Sequence, residues 1–206
     1  DHNGNLSIAE ITRAYNKKVK GIILVHLNGL PCDMDPIIKF AKQKNIFVIE
    51  DCSQAHGAIY KGKKVGTFGD VAIWSFCQDK IISTGGEGGM ISTNNKRIWK
   101  KCWSYKDHGK NYKKIKLKKN NLEFLWLHDD LGSNYRMTEM QAAIGRIQLK
   151  KLNRQIIVRN QIANIYLNGL KKFFVNKFFI TPKFSCDSCK FKYLNKNKCN
   201  LCIHSF

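Results

Sequence analysis

The chain has 206 residues, of which 43% are hydrophobic and 25% charged, and its formal net charge is +21. This composition indicates a globular chain, and no apolar run reaches the roughly 18 residues that a membrane-spanning helix needs, so no membrane partner is expected. Lysine supplies most of the positive charge and is scattered along the chain, whereas proteins that read base edges rely on the planar fork of arginine. Nucleic acid is therefore not an expected partner, although the same field would serve an anionic small substrate.

The first predicted elements form a parallel crossover unit. Residues 21–27, "GIILVHL", are a continuous apolar run with the length of a buried strand. Asp35 and Pro36 are typical of an N-cap and a first helical position, and Asn45 is expected to end the helix that they begin. Residues 46–51, "IFVIED", then predict a second buried strand, so that strand, helix and strand follow one another within about thirty residues.

The next elements surround a loop that contains lysine and glycine. Residues 58–70 carry glycines at hairpin spacing, and residues 71–76, "VAIWSF", predict another strand. The loop follows as "CQDKIISTGGEGG", and residues 89–93 predict a further strand beyond it.

A long helix is predicted in the second half of the chain. Thr138 and Gln141 fit a capping box, and an apolar face continues from there to Leu170. A helix of this length often links two domains, so the expected division is part of a large domain (1–137), a linking helix (138–172) and the start of a small domain (173–206). Residues 173–184 are compatible with an edge strand.

Polar side chains follow two of the predicted strands. Asp51 and Gln54 lie at the end of the second strand, and Ser75 and Lys80 at the end of the strand that precedes the glycine loop. Ligands of parallel α/β sheets bind beyond the carboxyl ends of the strands. An acid, an amide, a hydroxyl and an amine over glycine-rich backbone suit a ligand that has a basic ring nitrogen, a phosphate and an aldehyde, and pyridoxal phosphate has all three.

Each residue type has a physical reason to serve such a ligand. A carboxylate keeps a nearby pyridine nitrogen protonated, because an opposite charge favours the charged form. A lysine held close to that cation and partly out of water has a lowered pKa and forms a Schiff base readily. The freed amine can then move a proton. Taken singly, each of these residues also fits an ordinary turn or strand end.

The cysteines fall into two groups. Four are isolated and are expected to be reduced in a cytosolic protein. The other four form two CxxC pairs that are nine residues apart, at Cys186, Cys189, Cys199 and Cys202. This spacing is shorter than that of common zinc ribbons, so four free thiols are favoured over a structural zinc site, and these cysteines stay a weak metal candidate.

Four stretches of the chain closely resemble the DegT/DnrJ/EryC1/StrS family of nucleotide-sugar aminotransferases. They are "VHLNGLPCDMDPI", "FVIEDCSQAHGAIYKGKKVGTFGDVAIWSF", "DKIISTGGEGGMIST" and "GSNYRMTEMQAAIGRIQLKKL", in this order between residues 22 and 170. Within the family the chain looks most like perosamine-synthase-type enzymes of surface-polysaccharide synthesis. The resemblance implies an α/β fold of the pyridoxal-phosphate fold type I, with a mostly parallel sheet flanked by helices.

The resemblance also implies roles for individual residues. Lys80 would form the Schiff base, and its identity favours transamination because some family members are dehydratases with histidine at this position. Asp51 would pair with the pyridine nitrogen, Gln54 would contact the cofactor ring, and Ser75 would bind the phosphate. Asn134 would reach the phosphate of a neighbouring subunit's cofactor, which implies a homodimer with shared sites.

The expected function is the transfer of an amino group, with glutamate as the expected donor, onto a keto-sugar attached to a nucleoside diphosphate. Family members are longer at both ends, so the chain is expected to be a fragment of a cytoplasmic enzyme. His56 and His108 are expected to be structural, whereas Arg136 would contact substrate or cap a helix. Two alternatives remain open: a catalytically inactive relative, and a zinc-knuckle or polyanion-binding module that uses the four C-terminal cysteines or the lysine-rich residues 110–119.

Overall fold

A computed structural model of the chain describes residues 1, 3–118 and 126–170. Its helices are α1 (Ile8–Ala14), α2 (Met34–Lys44), α3 (Lys96–Tyr105), α4 (Tyr112–Lys118) and α5 (Glu139–Leu170). Its strands are β1 (Gly21–Val25), β2 (Phe47–Asp51), β3 (Ile59–Tyr60), β4 (Lys63–Lys64), β5 (Val71–Ser75) and β6 (Gly89–Ser92). Within the described ranges, no helix combines the length and the apolar character that crossing a membrane requires.

The described strands form one larger sheet and one short hairpin. The larger sheet has the order β1-β2-β5-β6, in which β1, β2 and β5 are parallel and β6 is antiparallel to β5. β3 and β4 pair as the predicted hairpin, with Lys61 and Gly62 at positive φ in the turn. The predicted α/β class with a mostly parallel sheet is therefore confirmed.

The two sides of the larger sheet differ sharply in burial, and we name them by their residues. The closed face is the side of β1 and β2 that carries buried side chains, namely Ile22, Leu24, Val48 and Glu50. The open face is the other side of the same strands, with Ile23, Val25, Phe47 and Asp51. On the open face Ile23 is 66% exposed and Phe47 is 61% exposed.

Helix α2 covers the closed face, because its apolar side chains recur at helical spacing. Met34, Ile37 and Ala41 are buried and belong to the same core cluster as the inward-facing residues of β1 and β2. The helix ends as predicted at Asn45, which adopts the left-handed conformation with φ 52° and donates its N–H to the carbonyls of Ala41 and Lys42. The strand–helix–strand unit is therefore confirmed.

The predicted start of α2 was wrong by two residues. The helix begins at Met34 with Asp33 as its N-cap, and Asp35 and Pro36 lie in the first turn, where proline is tolerated because the N–H groups have no partner within the helix. The side chain of Asp35 instead pairs with Lys61 at 2.5 Å. The side chain that was predicted to cap the helix is therefore engaged by the β3–β4 hairpin.

The first strand is also shorter than predicted. β1 ends at Val25, and Leu27–Gly29 form a single 3-10 turn in which Asn28 has φ 54°. The backbone N–H of Asn28 donates to Gln54 Oε1 at 2.7 Å, so a contact from the next loop fixes this turn. Periodicity along the chain could not reveal that contact.

The lysine-rich segment after residue 110 is partly helical. Asn111 begins α4, because its Oδ1 accepts the N–H groups of Lys113 and Lys114. The ring of Tyr112 packs edge-on against Trp99 and Trp103 at centroid distances of 5.3 and 5.2 Å. The cap and this aromatic contact explain why a segment with so many like charges forms a helix.

Helix α5 begins with the predicted capping box. Gln141 Oε1 accepts the N–H of Thr138 at 3.0 Å, and Thr138 Oγ1 accepts the N–H of Gln141 at 3.3 Å. The helix runs for 32 residues. Its role as a link between domains stays a prediction, and the predicted edge strand and all four C-terminal cysteines lie outside the described residues.

Candidate active site

Asp51 and Ser75 lie at the carboxyl ends of neighbouring parallel strands, β2 and β5. Asp51 ends β2 and pairs in register with Ile73 of β5, so that Ser75, two residues further on, lies on the same open face. Both side chains are half-buried. The carboxylate of Asp51 accepts a hydrogen bond from the N–H of Ser53 at 2.9 Å, which orients it and leaves acceptor capacity for a ligand.

Gln54 lies in the loop that follows β2. Its Oε1 accepts the N–H of Asn28, which ties the loop after β2 to the turn after β1. Its Nε2 has no hydrogen-bond partner within the described part of the chain. The amide is thus fixed at one end and available as a donor at the other.

Lys80 lies in the connection between β5 and β6, and its loop is held by backbone hydrogen bonds. The N–H of Phe76 donates to the carbonyl of Gly88 at 2.7 Å, and the N–H of Lys80 donates to the carbonyl of Cys77 at 3.1 Å. The side chain of Lys80 is only 16% exposed, and its Nζ lies 3.3 Å from Asp79 Oδ1. The Cys77 thiol and the Lys80 ammonium both hold the pKa of Asp79 below its ordinary value.

The glycines of this loop make close contacts within the chain itself. Gly85 has φ +81°, and a Cβ built on it would meet the Ile144 side chain at 2.8 Å. A Cβ on Gly88 would lie 2.3 Å from Thr84 Oγ1, whereas a Cβ on Gly86, at φ +142°, would meet no atom within 4 Å. Two of these glycines therefore let α5 and Thr84 pack closely against the loop.

Helix α5 contacts both loops of the site. Gln141 Nε2 donates to the carbonyl of Glu87 at 2.8 Å, which attaches the start of the helix to the glycine loop. Further along the helix, Ile156 and Leu152 pack against Gly57 in the loop after β2, where a Cβ would lie 2.4 Å from Ile156 Cδ1. One helix thus supports the loops that carry Lys80 and Gln54.

Asn134 is exposed and lies in a separate part of the molecule. Its segment is docked by a bridge between Asn134 and Asp107 and by a hydrogen bond from the N–H of Tyr135 to the carbonyl of Lys106. No hydrogen bond or ion pair among the described residues joins Asn134 to Asp51, Ser75 or the other residues of the carboxyl edge. Its assignment to a neighbouring subunit's site stays a prediction.

Arg136 has a partner that the sequence did not indicate. Its Nη1 lies 2.5 Å from Asp107 Oδ1, and Lys110 Nζ binds the same carboxylate at 3.0 Å. Burial raises the pKa of Asp107, but the two cations outweigh this and hold the pKa below its ordinary value. Asp107 therefore fixes the segment that carries Asn134.

The two histidines singled out in the sequence occupy different surroundings. His56 is buried, with ring centroids 5.5 Å from Trp74 and 5.9 Å from Phe76. His108 adopts a left-handed conformation with φ 56°, and its carbonyl accepts from His128 Nδ1 at 2.8 Å. Both sets of contacts fit structural roles.

A buried group that the sequence did not reveal lies on the closed face, beside the candidate site. Both carboxylate oxygens of Glu50 are fully bonded: Oε1 accepts the N–H groups of Phe68 and Gly69, and Oε2 accepts the N–H of Gly66 and the Nε2–H of His26. Burial raises the pKa of Glu50, but the hydrogen bond from His26 and those from the three amides outweigh it and hold the pKa below its ordinary value. An acid in the middle of a buried strand is a usable signal, because such a group requires donors.

Glu50, His26 and Cys52 also place three possible metal ligands within 4.8 Å of one another, all buried. His26 Nδ1, however, accepts the N–H of Cys32 at 3.0 Å, so its proton is on Nε2 and points at Glu50. Neither the imidazole nor the carboxylate then has a lone pair that is free for a cation. This group holds the closed face together and is not a metal centre.

Comparison with known proteins identifies the family of the chain. The model of the DegT/DnrJ/EryC1/StrS aminotransferase family matches residues 1–193. The chain is 44% identical over 165 residues to the GDP-perosamine synthase of Escherichia coli O157:H7, covering 80% of this chain and 42% of that protein. The chain therefore spans less than half the length of this curated relative.

Solved structures agree with this result. An aminotransferase from Psychrobacter cryohalolentis superposes with a TM-score of 0.82 at 48% identity, over 85% of this chain and 45% of that one. The Escherichia coli GDP-4-keto-6-deoxy-D-mannose-3-dehydratase, solved with bound hydrated PLP, gives 0.69 at 30% identity, over 83% of this chain and 46% of that one. With its family motifs and its fold in agreement, the chain belongs to the DegT/DnrJ/EryC1/StrS aminotransferase family.

Proposed function

We propose that the protein is a pyridoxal-phosphate-dependent aminotransferase that converts the keto group of a nucleotide-linked sugar into an amine. The observation that carries this proposal is the position of Lys80, a largely buried amine in a braced loop directly beyond the strand end that carries Ser75. The family membership and the GDP-perosamine synthase relative support the same reaction class.

The chemistry of the donor set fits the cofactor. Asp51, Gln54 and Ser75 offer an acceptor, a donor and a hydroxyl, and their half-buried side chains keep polar capacity for a ligand. Asp51 would hold the protonated ring nitrogen, Gln54 the ring substituent, and Ser75 the phosphate. When bound, the cofactor supplies an electron sink that stabilises negative charge on the carbon that loses its proton.

Lys80 would provide both the point of attachment and the base. Its side chain is only 16% exposed, which keeps the amine close to the site and largely out of bulk water. Asp79 Oδ1, at 3.3 Å, is placed to orient Nζ. Once displaced from the cofactor by an amino-acid donor, Nζ would move the proton from the donor's Cα.

Several finer assignments belong to the same proposal. Glutamate would be the amino donor, the product would enter surface-polysaccharide synthesis, and the enzyme would act in the cytoplasm. Asn134 would complete the phosphate site of a second subunit in a homodimer, consistent with its exposed position on a segment fixed by Asp107. The division at residues 137 and 172 into a cofactor domain, a linking helix and a small domain completes the proposal.

The test is borohydride trapping of the native protein with pyridoxal phosphate, followed by peptide mass mapping. We expect one stoichiometric adduct on Lys80, lost in Lys80→Ala and retained in the control Lys63→Ala, which changes an exposed lysine of β4. Label that is spread over many lysines, or that persists in Lys80→Ala, would overturn the assignment. A single adduct on Lys80 without amino transfer would identify a catalytically inactive relative.

A further inference from the structure

A cavity of about 630 Å³ lies beside α3, and the proposed reaction does not use it. This volume is within the range of roughly 300–1,000 Å³ that is typical of small-molecule sites. The residues that line it come from α3, from the segment that leads into α4, from the first residues of α4, and from Asp129 and Asp130 in the segment before α5. None of the candidate cofactor residues is among them.

The start of α3 lies at the opposite edge of the sheet from Lys80. Gly89, the first residue of β6, pairs with Ser75 at the carboxyl edge, whereas Ser92, its last, pairs with Ala72 nearer the amino edge. Directly after β6, Thr93 Oγ1 donates to the carbonyl of Asp70, at 2.6 Å. The amino end of α3, and the end of the cavity that it lines, are therefore distinct from the candidate active site.

Part of the charge in this cavity is already neutralised. Lys101 Nζ lies 2.6 Å from Asp130, and Lys110 binds Asp107 at 3.0 Å. The second acid of the cavity wall, Asp129, pairs with Lys114 at 2.6 Å. Both acids of the wall are thus occupied by lysines that face them.

Four cations of the wall have no carboxylate partner within the described ranges: Lys96, Arg97, Lys100 and Lys113. Lys96, Arg97 and Lys100 lie within the first five residues of α3, so these three cations line the same end of the cavity. Concentrated positive charge that has no counterpart in the chain is available to an anionic ligand.

Helix α3 also breaks a rule that other helices of this protein obey. The first turns of α1, α2 and α5 each contain an acid, as the positive end of a helix dipole prefers. The first turns of α3 and α4, the two helices that line the cavity, contain none, and α3 begins with Lys96 and Arg97. The pairs Lys96–Lys100 and Arg97–Lys101 place like charges four residues apart, which destabilises a helix. Lysine-rich composition alone does not explain this, because it would affect all the helices alike, whereas local conflicts of this kind mark functional sites.

Neutral groups complete the wall. Tyr112, Ser104 and Asn111 line the same cavity and add an aromatic ring, a hydroxyl and an amide to the cations. Arg97 offers the planar fork that binds phosphate in a bidentate manner, and lysines bind phosphate as point charges. The concave shape favours a compact anion over the extended backbone of a nucleic acid.

We propose that this cavity is a binding site for a diphosphate-bearing small molecule, with Lys96, Arg97 and Lys100 as the principal contacts. The site is separate from the one assigned to the cofactor, and it does not depend on the proposed reaction. Four unpaired cations match a diphosphate group better than a single phosphate, because each phosphate can then meet two of them.

The test uses the native protein after saturation with pyridoxal phosphate, so that the cofactor's phosphate site does not contribute. Inorganic pyrophosphate is titrated by calorimetry at low salt into the wild type, into Lys96→Gln/Lys100→Gln, and into the control Lys39→Gln/Lys42→Gln. The control removes the same charge from exposed positions of α2. We expect one saturable site that weakens at least tenfold in the α3 variant and less than twofold in the control.

Two results would overturn the proposal. Equal weakening in both double variants would mean that pyrophosphate responds to the overall charge of the protein and not to this cavity. Absence of saturable pyrophosphate binding, with steeply salt-dependent binding of a single-stranded oligonucleotide instead, would assign the patch to nucleic acid. Circular dichroism checks folding, and we expect the α3 variant to be at least as stable as the wild type, because like-charge repulsion is removed.

Arg97→Lys gives a sharper result, since it keeps the charge and removes the planar fork. We expect pyrophosphate to bind several-fold more weakly to this variant, and affinity equal to that of the wild type would exclude the bidentate contact.

Discussion

The closed and open faces of the sheet differ in how completely their charged groups are bonded. Glu50 and Asp51 are neighbours on β2 and have the same chemistry, yet Glu50 is wholly buried with four donors, whereas Asp51 is half-buried with one. Because successive side chains of a strand point to opposite faces, one residue step separates a structural carboxylate from an available one. A fully bonded acid supports the fold, and an incompletely bonded acid at a strand end can serve a ligand.

This contrast separates two kinds of consequence. Substitutions on the closed face should lower the stability of the protein and leave the activity of each folded molecule unchanged. Substitutions at the carboxyl edge of the open face, or in the loop that contains Lys80, should lower the activity and leave the stability unchanged. The following predictions run from the largest expected effect to the smallest.

Replacing Lys80 by alanine should remove the proposed activity while the fold stays intact. Loss of a positioned acid–base group typically costs about 10² to 10⁴ in rate, and loss of the attachment point adds to this. The rate of amino transfer to a nucleotide-linked keto-sugar checks the activity, and urea unfolding should stay within about 0.5 kcal/mol of the wild type. Retained activity in Lys80→Ala would show that the residues beside the open face do not carry the proposed activity.

Glu50→Gln should have the opposite effect. The glutamine NH₂ group would face backbone N–H groups or the imidazole N–H, so buried donors would lose their acceptor. Breaking a buried charged pair typically lowers the free energy of unfolding by about 3–5 kcal/mol, and denaturant unfolding measures it. Asp51→Asn is the matched control, with little loss of stability and reduced binding of the cofactor, and equal destabilisation by both changes would contradict the distinction.

Asp107→Asn tests a bonded carboxylate outside the sheet. Lys110 and Arg136 would lose a shared anion, and we expect the free energy of unfolding to fall by about 1–3 kcal/mol. If Asn134 serves a second subunit, cofactor affinity should also fall in the assembled protein, as measured by equilibrium dialysis. Arg136→Lys, which keeps the charge and an intact Asp107, should lose less stability than Asp107→Asn. An unaltered cofactor affinity in Asp107→Asn would separate this carboxylate from the site.

The smallest effect concerns acid pH. The pKa of Glu50 is lower in the folded protein than its ordinary value of about 4.3, so the stability that its ionised form contributes is present above that value and is lost as pH falls through the folded pKa. Urea unfolding between about pH 3 and about pH 6 should show a steeper loss of stability at acid pH in the wild type than in Glu50→Gln. Parallel profiles would show that Glu50 is not ionised in the folded protein.

The sequence was sufficient wherever the controlling contact is local. Buried runs predicted β1, β2 and β5, Asn45 predicted the end of α2, and Thr138 with Gln141 predicted the start of α5, because apolar burial and capping act over a few residues. The candidate residues at the carboxyl edge followed from the same local pattern together with the family resemblance.

Contacts between distant segments account for what could not be predicted. Lys61 pairs with the Asp35 side chain that was expected to cap α2, and a ring contact with Trp103 reinforces the start of α4. The hydrogen bonds around Glu50 need donors from the loop at residues 66–69. The partners of Gly85 and Gly88 likewise come from other elements or from the fold of the loop. In each case the decisive partner is remote in sequence or is fixed only once the chain has folded.

Helix α5 has a mechanical consequence. Ile144 rests on Gly85 and Ile156 rests on Gly57, and because Ile156 follows Ile144 by twelve positions, these contacts lie about 18 Å apart along one continuous helix. The helix therefore couples the loop that contains Lys80 to the loop that contains Gln54. A force that tilts it at either end changes the spacing of both loops at once, so closure around one part of a ligand is transmitted to the other part.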